Sequence, residues 1–265
     1  MITKSELKYL RSLHQKKKRD EKNVFVIEGI KMINEALVSH PQLVKLLAYT
    51  PGVKHEISKE AALCNFSKIE MNSNEFEKIS MLKNPQGVLA VLEKPTNDFP
   101  DVETMGNLTL ILDGIRDPGN LGTMIRLADW FGIAYIVCSP DTVECFNPKV
   151  VQATMGAIFR VKIIYWKLPV ILADLKDSGY TVYGSLLSGE NIYSKNLKLP
   201  AAIILGNEAQ GISDSLLSFI DEAILIPNFS NSVQQSESLN VSVAAAILCS
   251  EFRRRTMKII QNEMK

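Results

Sequence analysis

The hydrophobic positions of the first ninety residues form short continuous runs separated by stretches with helical spacing. The runs "VFVIEG" and "VKLLAYT" predict strands, and residues 30–37 between them have the spacing of a helix. The opening segment "SELKYLRSLHQKKKRDEKN" also has helical spacing, and we expect Ser5 to cap its start. Further on, "KISMLKNPQGVLAVLE" predicts a short helix, a turn and a strand. Alternating strands and helices predict a small α/β sandwich.

The rest of the chain repeats this pattern over a longer stretch. Six apolar runs predict strands: "LTLILDG", "AYIVCSP", "KIIYW", "YTVYGSLL", "AAIILGNE" and "EAILIPN". Segments with helical spacing lie between the first four, and "ESLNVSVAAAILCSEFRRR" predicts a long final helix. Continuous apolar strands separated by helices favour a parallel sheet with helices on both faces. In such sheets, ligands bind beyond the carboxyl ends of the strands.

The two patterns meet at a segment that is typical of a linker. Residues 94–106, "KPTNDFPDVETMG", contain two prolines, several acidic residues and few apolar ones. We therefore predict two α/β domains, residues 1–93 and residues 107–265, with 94–106 as the linker. A chain of 265 residues fits either one large domain or two smaller ones.

Composition and charge narrow the function classes. The net charge is only +1, so any contact with nucleic acid has to come from local basic patches. The four cysteines form no CxxC pair and there are three histidines, so we expect neither a metal site nor a disulfide framework. Cysteines buried as small apolar residues fit a reducing cytoplasm. The polar N-terminus and the lack of a long apolar run predict neither a signal peptide nor a membrane span.

Three polar turns follow predicted strands. The first, "DGIRDPGNLG", is neither GxGxxG nor GxxxxGK[ST], so it gives poor support to a nucleotide site. Asn120 in this turn either caps the next helix or contacts a ligand, and Arg126 lies less than two helical turns further on. The second turn, "ILGNEAQGIS", places Glu208 just beyond a buried strand, where it either faces solvent or accepts hydrogen bonds. The third precedes the final helix, which we expect to begin near Ser238 with Ser238 as a cap or as a contact residue.

In this order, "N-x-x-x-x-x-R", "LGNE" and "IP…SLNVSVAAAI" closely resemble the three motifs of the SpoU (TrmH-like) RNA 2′-O-ribose methyltransferases of the SPOUT superfamily. The resemblance covers roughly residues 107–255, and the third motif alone matches over about ten positions. The N-terminal part, which contains "FVIEG" and "NPQGVLAV", looks like the small substrate-binding domain that precedes the catalytic domain in many such enzymes. That domain is related to ribosomal RNA-binding proteins of the α/β/α sandwich type.

The resemblance implies a parallel-sheet domain with a deep trefoil knot, a homodimer, and S-adenosylmethionine as the cofactor. It implies transfer of a methyl group to a ribose 2′-hydroxyl of rRNA or tRNA, without a metal ion. Arg126 is the key residue in the family; since guanidinium stays protonated, we favour a clamp on an RNA phosphate over a base. Glu208 would orient Arg126 or Asn120. The implied catalytic residues are Asn120, Arg126, Glu208, Ser238 and Asn240, and the implied cofactor-binding residues are Gly206, Ile226 and Leu239.

One departure from the family concerns the third turn. Many relatives have a short glycine-containing segment there, whereas this chain has "NFSNSVQQSE", ten residues without glycine. We therefore expect an altered geometry of the loop 228–237, or ordering on RNA binding. The apolar face of the final helix serves either a dimer contact or the core; its members are Val241, Ala244, Ala245 and Leu248.

Basic residues near the start of the chain are candidates for RNA contact. The opening helix carries Lys8 and Arg11 and then a dense run of cations, which forms either a solvated face or a phosphate-binding surface. Lys83 is a second candidate. The residues that we predict to bind RNA are Lys16, Lys17, Lys18, Arg19, Lys83 and Arg126.

Two rival functions remain at this point. One is a non-catalytic RNA-binding protein that retains the methyltransferase fold; the intact motif residues argue against it. The other is a nucleotide-dependent oxidoreductase on a doubly wound sheet, which the missing GxGxxG disfavours. The sequence does not identify the RNA or the nucleotide.

Overall fold

A computed structural model describes residues 2–96, 101–230 and 238–263, with the side chains of the final helix described up to residue 255. The chain divides into two compact units. The first contains residues 1–96 and 144–159, and the second contains residues 97–143 and 160–265. The domains predicted from the linker, residues 1–93 and 107–265, stay a prediction, and they differ from these units mainly in residues 144–159.

The first unit contains a four-stranded sheet. Its strands are β1 (Val24–Glu28), β2 (Val44–Tyr49), β3 (Ser67–Glu70) and β4 (Val88–Glu93). They lie in the order β1-β4-β2-β3, with β4 antiparallel to both neighbours and β3 parallel to β2. The helices are α1 (Lys4–Ser12), α2 (Lys16–Lys22), α3 (Ile30–Ser39), α4 (Glu60–Leu63), α5 (Ser73–Glu77) and α7 (Pro148–Thr154).

The sheet of the first unit is covered on both faces. Phe25 and Ile27 face one core with residues of α3, and Val151 of α7 belongs to this core. Val24 and Val26 face the other core, together with Leu10 and other residues of the opening segment. This alternation is the two-residue period of a strand with both faces buried, and it confirms the predicted α/β/α sandwich.

The second unit is built on a six-stranded sheet. Its strands are β5 (Leu108–Leu112), β6 (Tyr135–Cys138), β7 (Lys162–Tyr165), β8 (Thr181–Asn191), β9 (Ala201–Leu205) and β10 (Glu222–Leu225). They lie in the order β10-β8-β9-β5-β6-β7, and every pair is parallel. The predicted parallel sheet is confirmed, and β5 and β9, fully buried, are neighbours near its centre.

Among the described residues, the α-helices of the second unit are α6 (Pro118–Trp130), α8 (Leu168–Asp177), α9 (Asp214–Leu217) and α10 (Val241–Glu263). The apolar face of α10 largely serves the core, since Val241, Ala245 and Leu248 are buried within this chain and Ala244 is partly exposed. The trefoil knot stays a prediction, because strand order and register do not test it.

Two predicted features differ in the structure. Thr3, not Ser5, caps α1, because Thr3 and Glu6 form a capping box that satisfies both backbone donors. Of the predicted linker, residues 97–100 lie outside the described residues, while Val102 and Met105 form a short helical turn packed in the core of the second unit. Three of the four cysteines, Cys138, Cys145 and Cys249, are buried as expected. In the part of the chain that is described, no helix has the length and apolar character needed to cross a bilayer.

Arg19 has a different role from the one predicted. Its side chain is only 2% exposed, and its guanidinium donates to the carbonyls of Leu13 and His14 and to Glu144 Oε2 at 2.9 Å. Lys94 also contacts Glu144, at 3.0 Å. The guanidinium of Arg19 is thus used inside the first unit, and the predicted RNA contact of Arg19 is wrong for this conformation.

This ion pair should contribute strongly to stability. We expect Arg19→Met to lower the free energy of unfolding by about 3 kcal/mol, because it leaves a carboxylate in a poorly solvated place without its strongest partner. Lys16→Met removes an exposed ion pair with Asp20 and should change the free energy of unfolding by less than about 0.5 kcal/mol. Urea unfolding followed by circular dichroism measures both; equal midpoints for the two variants would contradict this role of Arg19.

Candidate active site

The first and second turns lie side by side, because β5 and β9 are parallel neighbours and both turns follow their carboxyl ends. Asp113, immediately after β5, is buried, and its carboxylate accepts a hydrogen bond from the backbone N–H of Ser213 at 2.7 Å. The backbone N–H of Asp113 donates to the carbonyl of Leu205 at 2.9 Å. The start of each turn is therefore fixed relative to the other.

Asn207 connects the two turns further out. Its Nδ2 donates to the carbonyl of Gly114 at 2.8 Å, and its Oδ1 accepts from the backbone N–H groups of Ala209 and Gln210 at 2.9 and 3.2 Å. Its backbone N–H and carbonyl pair with Gly211. Sequence analysis did not single out Asn207; the signal was present, since asparagine often holds turns through its own side chain.

Gly206 is required by the way this turn folds back. A Cβ on Gly206 would lie 2.3 Å from the carbonyl carbon and oxygen of Gly211 and 2.4 Å from the backbone nitrogen of Ile212. These are backbone atoms that a side-chain movement cannot clear. The close approach is within the protein itself, which explains the glycine independently of any ligand.

Gly206→Ala should therefore displace the segment 207–211. We expect a loss of about 1–3 kcal/mol in the free energy of unfolding, as for other overpacked sites. We also expect at least about tenfold weaker binding of S-adenosylmethionine, about 1.4 kcal/mol. Gly52→Ala is the matched control, because a Cβ there meets nothing within 4 Å. Thermal melts and calorimetric titration test this pair, and wild-type behaviour of Gly206→Ala would contradict it.

Asn120 is available for contacts because another residue caps its helix. Asp117 is the N-cap of α6, and its side chain accepts from the backbone N–H of Asn120 at 2.8 Å. The alternative that Asn120 caps this helix is thus wrong. The amide of Asn120 instead donates through Nδ2 to Glu208 Oε1, and its Oδ1 accepts from Nδ2 of Asn240 at 3.0 Å. Of the two partners expected for Glu208, the structure has Asn120.

Asn240, not Ser238, caps the final helix, which begins at Val241. Asn240 Oδ1 accepts from the backbone N–H groups of Ser242 and Val243 and from the Ser242 hydroxyl, the last at 2.6 Å. Ser242 is a second residue that sequence analysis missed. Its position two residues after Asn240 was the available signal for this contact. The chain Glu208–Asn120–Asn240 joins all three motifs, which are more than 30 residues apart in sequence. We call these three side chains the amide network.

A cavity of about 390 Å³ lies beside the amide network. Glu208 lines it, as do the four residues Gly206, Ile226, Leu239 and Ser238. Its volume falls in the range of small-molecule sites, and its walls combine apolar side chains with turn backbone. The further lining residues include Leu186, Leu187, Leu205, Asn207, Gln210, Leu225, Val241 and Ala244. Of the loop 228–237, for which we expect an altered geometry, residues 231–237 lie outside the described residues.

Arg126 is not among the residues that line this cavity. It is exposed on α6, and within the described ranges it has no hydrogen bond or ion pair. The structure therefore joins Asn120, Glu208 and Asn240 directly, places Ser238 on the cavity wall, and leaves Arg126 on the surface of the same helix as Asn120. A guanidinium with this exposure remains available to a phosphate.

The other RNA candidates lie in the first unit. Lys16 and Lys17 are exposed, and so is Lys83 in the loop before β4. Lys16 pairs with Asp20 at 2.7 Å and Lys18 pairs with Glu21 at 2.7 Å. The dense cationic run of α2 is thus partly neutralised by its own acidic residues.

Two family models match the chain. The SpoU rRNA Methylase family model matches residues 107–250, and the MRM3-like substrate binding domain matches residues 4–90. The 23S rRNA (guanosine(2553)-2′-O)-methyltransferase RlmP of Bacillus subtilis is 32% identical over 249 residues, which are 94% of this chain and 96% of that protein.

Solved structures of RNA methyltransferases are also similar to this chain. A TrmH-family structure from Porphyromonas gingivalis has a TM-score of 0.85 and 37% identity, covering 96% of this chain and 99% of that one. An AdoMet-bound rRNA methyltransferase from Sinorhizobium meliloti has a TM-score of 0.82 and 29% identity, covering 96% of each chain. With the family model spanning more than half of its length and a relative matched almost end to end, the chain belongs to the SpoU rRNA methylase family.

Proposed function

We propose that this protein is an S-adenosylmethionine-dependent RNA methyltransferase that methylates a ribose 2′-hydroxyl. The observation that carries the proposal is the amide network, in which Glu208, Asn120 and Asn240 bring the three family motifs together beside one cavity. A protein that only binds RNA has no need to keep three distant polar residues in mutual contact. The named activity of the Bacillus subtilis relative, a 23S rRNA 2′-O-methyltransferase, supports the same reaction.

The cavity fits S-adenosylmethionine in both size and chemistry. The side chains of Leu225, Ile226 and Leu239 provide apolar walls, and the residues of the turn 206–211 line the cavity as well. The Sinorhizobium meliloti structure with this cofactor bound supports the assignment. When bound, the cofactor supplies an electrophilic methyl group on a positively charged sulfur, so the reaction needs no metal ion to create the electrophile.

The protein's own residues then have to position the ribose. Arg126, exposed in the second half of α6, is suited to hold the phosphate beside the target nucleotide in a bidentate contact. Its positive charge also lowers the cost of the negative charge that develops on the attacking oxygen. The amide network fixes Asn120 and Asn240, so that little reorganisation is needed when the ribose arrives. The position of Ser238 on the cavity wall supports a contact with the sugar.

Ribosomal RNA is the first substrate to test, and guanosine in 23S rRNA is the first nucleotide, given the name of the Bacillus subtilis relative. Wild-type protein, tritium-labelled S-adenosylmethionine and unmodified transcripts of 23S rRNA and of tRNA form the assay. We expect label in RNA that resists alkaline hydrolysis at one position, because a 2′-O-methyl group blocks cleavage there. Binding of RNA and cofactor without any methyl transfer would support the non-catalytic alternative.

A homodimer is also part of the proposal. Two neighbouring helices of the second unit, α6 and α10, carry exposed apolar side chains, with Trp130 83% and Val243 49% exposed. Burial of such side chains is a usual role of a subunit interface. Light scattering coupled to size-exclusion chromatography measures the mass directly. The cytoplasm stays the predicted location, on the basis of the buried cysteines.

A further inference from the structure

The first unit has one helix face whose cations have no acidic partner in the described structure. On α1, Lys4, Lys8 and Arg11 are all exposed, and among the described residues none of them forms an ion pair or hydrogen bond. Their spacing of four and three residues places them on one side of the helix. Together they span about 10 Å along its axis. We call these three residues the α1 cation row.

The acidic residue of α1 does not neutralise this row. Glu6 is the one acidic side chain within the helix sequence "KSELKYLRS". Its carboxylate accepts hydrogen bonds from the backbone N–H and the hydroxyl of Thr3, each at 2.7 Å. These hydrogen bonds hold the pKa of Glu6 below its usual value, so Glu6 stays at the helix start as a cap.

The row also borders an open groove. The residues that line it are Lys4, Leu7, Lys8, Arg11, Ser12 and Gln15. Cations along the groove, with a hydroxyl and an amide among them, suit a phosphate backbone, and the half-buried Leu7 offers apolar contact to a sugar or base. The helix lies inside the segment that matches a substrate-binding domain.

The dense run 16–19 differs in each of these respects. Lys16 and Lys18 are each paired with a carboxylate at 2.7 Å, and Arg19 is buried. An ion pair that must be broken before RNA binds reduces the gain from each new phosphate contact. Sequence density of positive charge is therefore a poor guide to the free cations of this unit.

We propose that the α1 cation row, Lys4, Lys8 and Arg11, is the surface through which the first unit binds the phosphate backbone of its RNA substrate. The inference rests on the proposed function for the identity of the ligand. It replaces the run 16–19 as the main RNA contact, leaving Lys17 as the one residue of that run that is exposed and unpaired in the described structure.

The test compares two double variants of the full-length protein that remove the same charge. K8Q/R11Q changes the row, and K16Q/K18Q changes the paired run; glutamine keeps a helix propensity close to that of lysine and arginine. Filter binding to an unmodified 23S rRNA transcript is measured from 50 to 300 mM KCl. We expect K8Q/R11Q to bind about tenfold more weakly at the lowest salt, and its log–log salt slope to be shallower by about 1.4–1.8. K16Q/K18Q should stay within about twofold of wild type, since its pairs release few counterions.

Equal losses in the two variants, or a larger loss in K16Q/K18Q, would overturn the inference. Circular dichroism melts of both proteins separate a loss of binding from a loss of folding. Methyl transfer is measured on the same samples, so the two proposals fail separately. If the wild-type protein methylates RNA but both variants bind RNA equally well, the proposed function stands and this inference is wrong. If K8Q/R11Q alone loses RNA binding but the wild-type protein transfers no methyl group, this inference stands and the proposed function is wrong.

Discussion

Arg126→Ala should abolish methyl transfer, with kcat lowered by about 1,000-fold. The affinity for S-adenosylmethionine should stay within about threefold of wild type, which is a difference of roughly 0.65 kcal/mol in binding free energy. The expectation follows from the position of Arg126: it is exposed on α6 and is not among the residues that line the cavity. Its loss should therefore remove the proposed contact to RNA and leave the cofactor site intact. Tritium transfer and calorimetry measure the two quantities.

Two further variants define the role of the guanidinium. Arg126→Lys keeps the charge but loses the planar pair of donors, so we expect it to recover only part of the activity. Arg116→Ala is the control: Arg116 lies in the first turn, is 67% exposed, and approaches Asp141 only at 3.9 Å. It should retain activity within a few-fold of wild type. Normal turnover by Arg126→Ala would show that the motif arginine has no catalytic role here.

Asn120→Asp should have the second large effect, a loss of about 100-fold in kcat. The substitution keeps the size of the side chain but replaces the donor Nδ2, which bonds Glu208, with an acceptor that carries negative charge. Two carboxylates would then face each other and the contact would open. Because Asn120 is only partly buried, the melting temperature should change by less than about 2 °C. Radiolabel transfer and thermal melts test both expectations.

The matched control for this variant is Asn74→Asp, which makes the same chemical change on exposed α5. It should leave kcat and the melting temperature unchanged. Asn120→Ala separates repulsion from loss of the network: it removes both contacts without adding charge, so we expect a smaller loss than for Asn120→Asp. If Asn120→Asp turned over as fast as Asn74→Asp, the amide network would have no part in catalysis.

Strand positions could be predicted because burial on both faces leaves a direct mark in the sequence. All six strands of the large sheet appear as continuous apolar runs, and the structure has each of them. β3 was missed because Ser67–Glu70 exposes three of its four residues and so carries no apolar run. Edge strands of this kind are polar for good reason, since an apolar edge promotes aggregation.

Helix caps and charge pairing were predicted less well, because both depend on contacts between side chains. Ser5, Ser238 and Asn120 all have suitable chemistry for a cap, yet Thr3, Asn240 and Asp117 take the three positions. The role of Arg19 was hidden because its partner, Glu144, is 125 residues away. The motif residues of the site were found through family resemblance, and their connection into one network required the fold.

The split first unit has a practical consequence for anyone who wishes to exchange parts between relatives. Family matching places residues 144–159 in the methylase segment, but Glu144, Val151 and Phe159 complete the interior of the compact body that begins at the N-terminus. A chimaera joined only near residue 96 would therefore take residues 1–96 of the first unit from one parent and residues 144–159 of the same unit from the other. Grafts intended to change RNA choice should carry both stretches together.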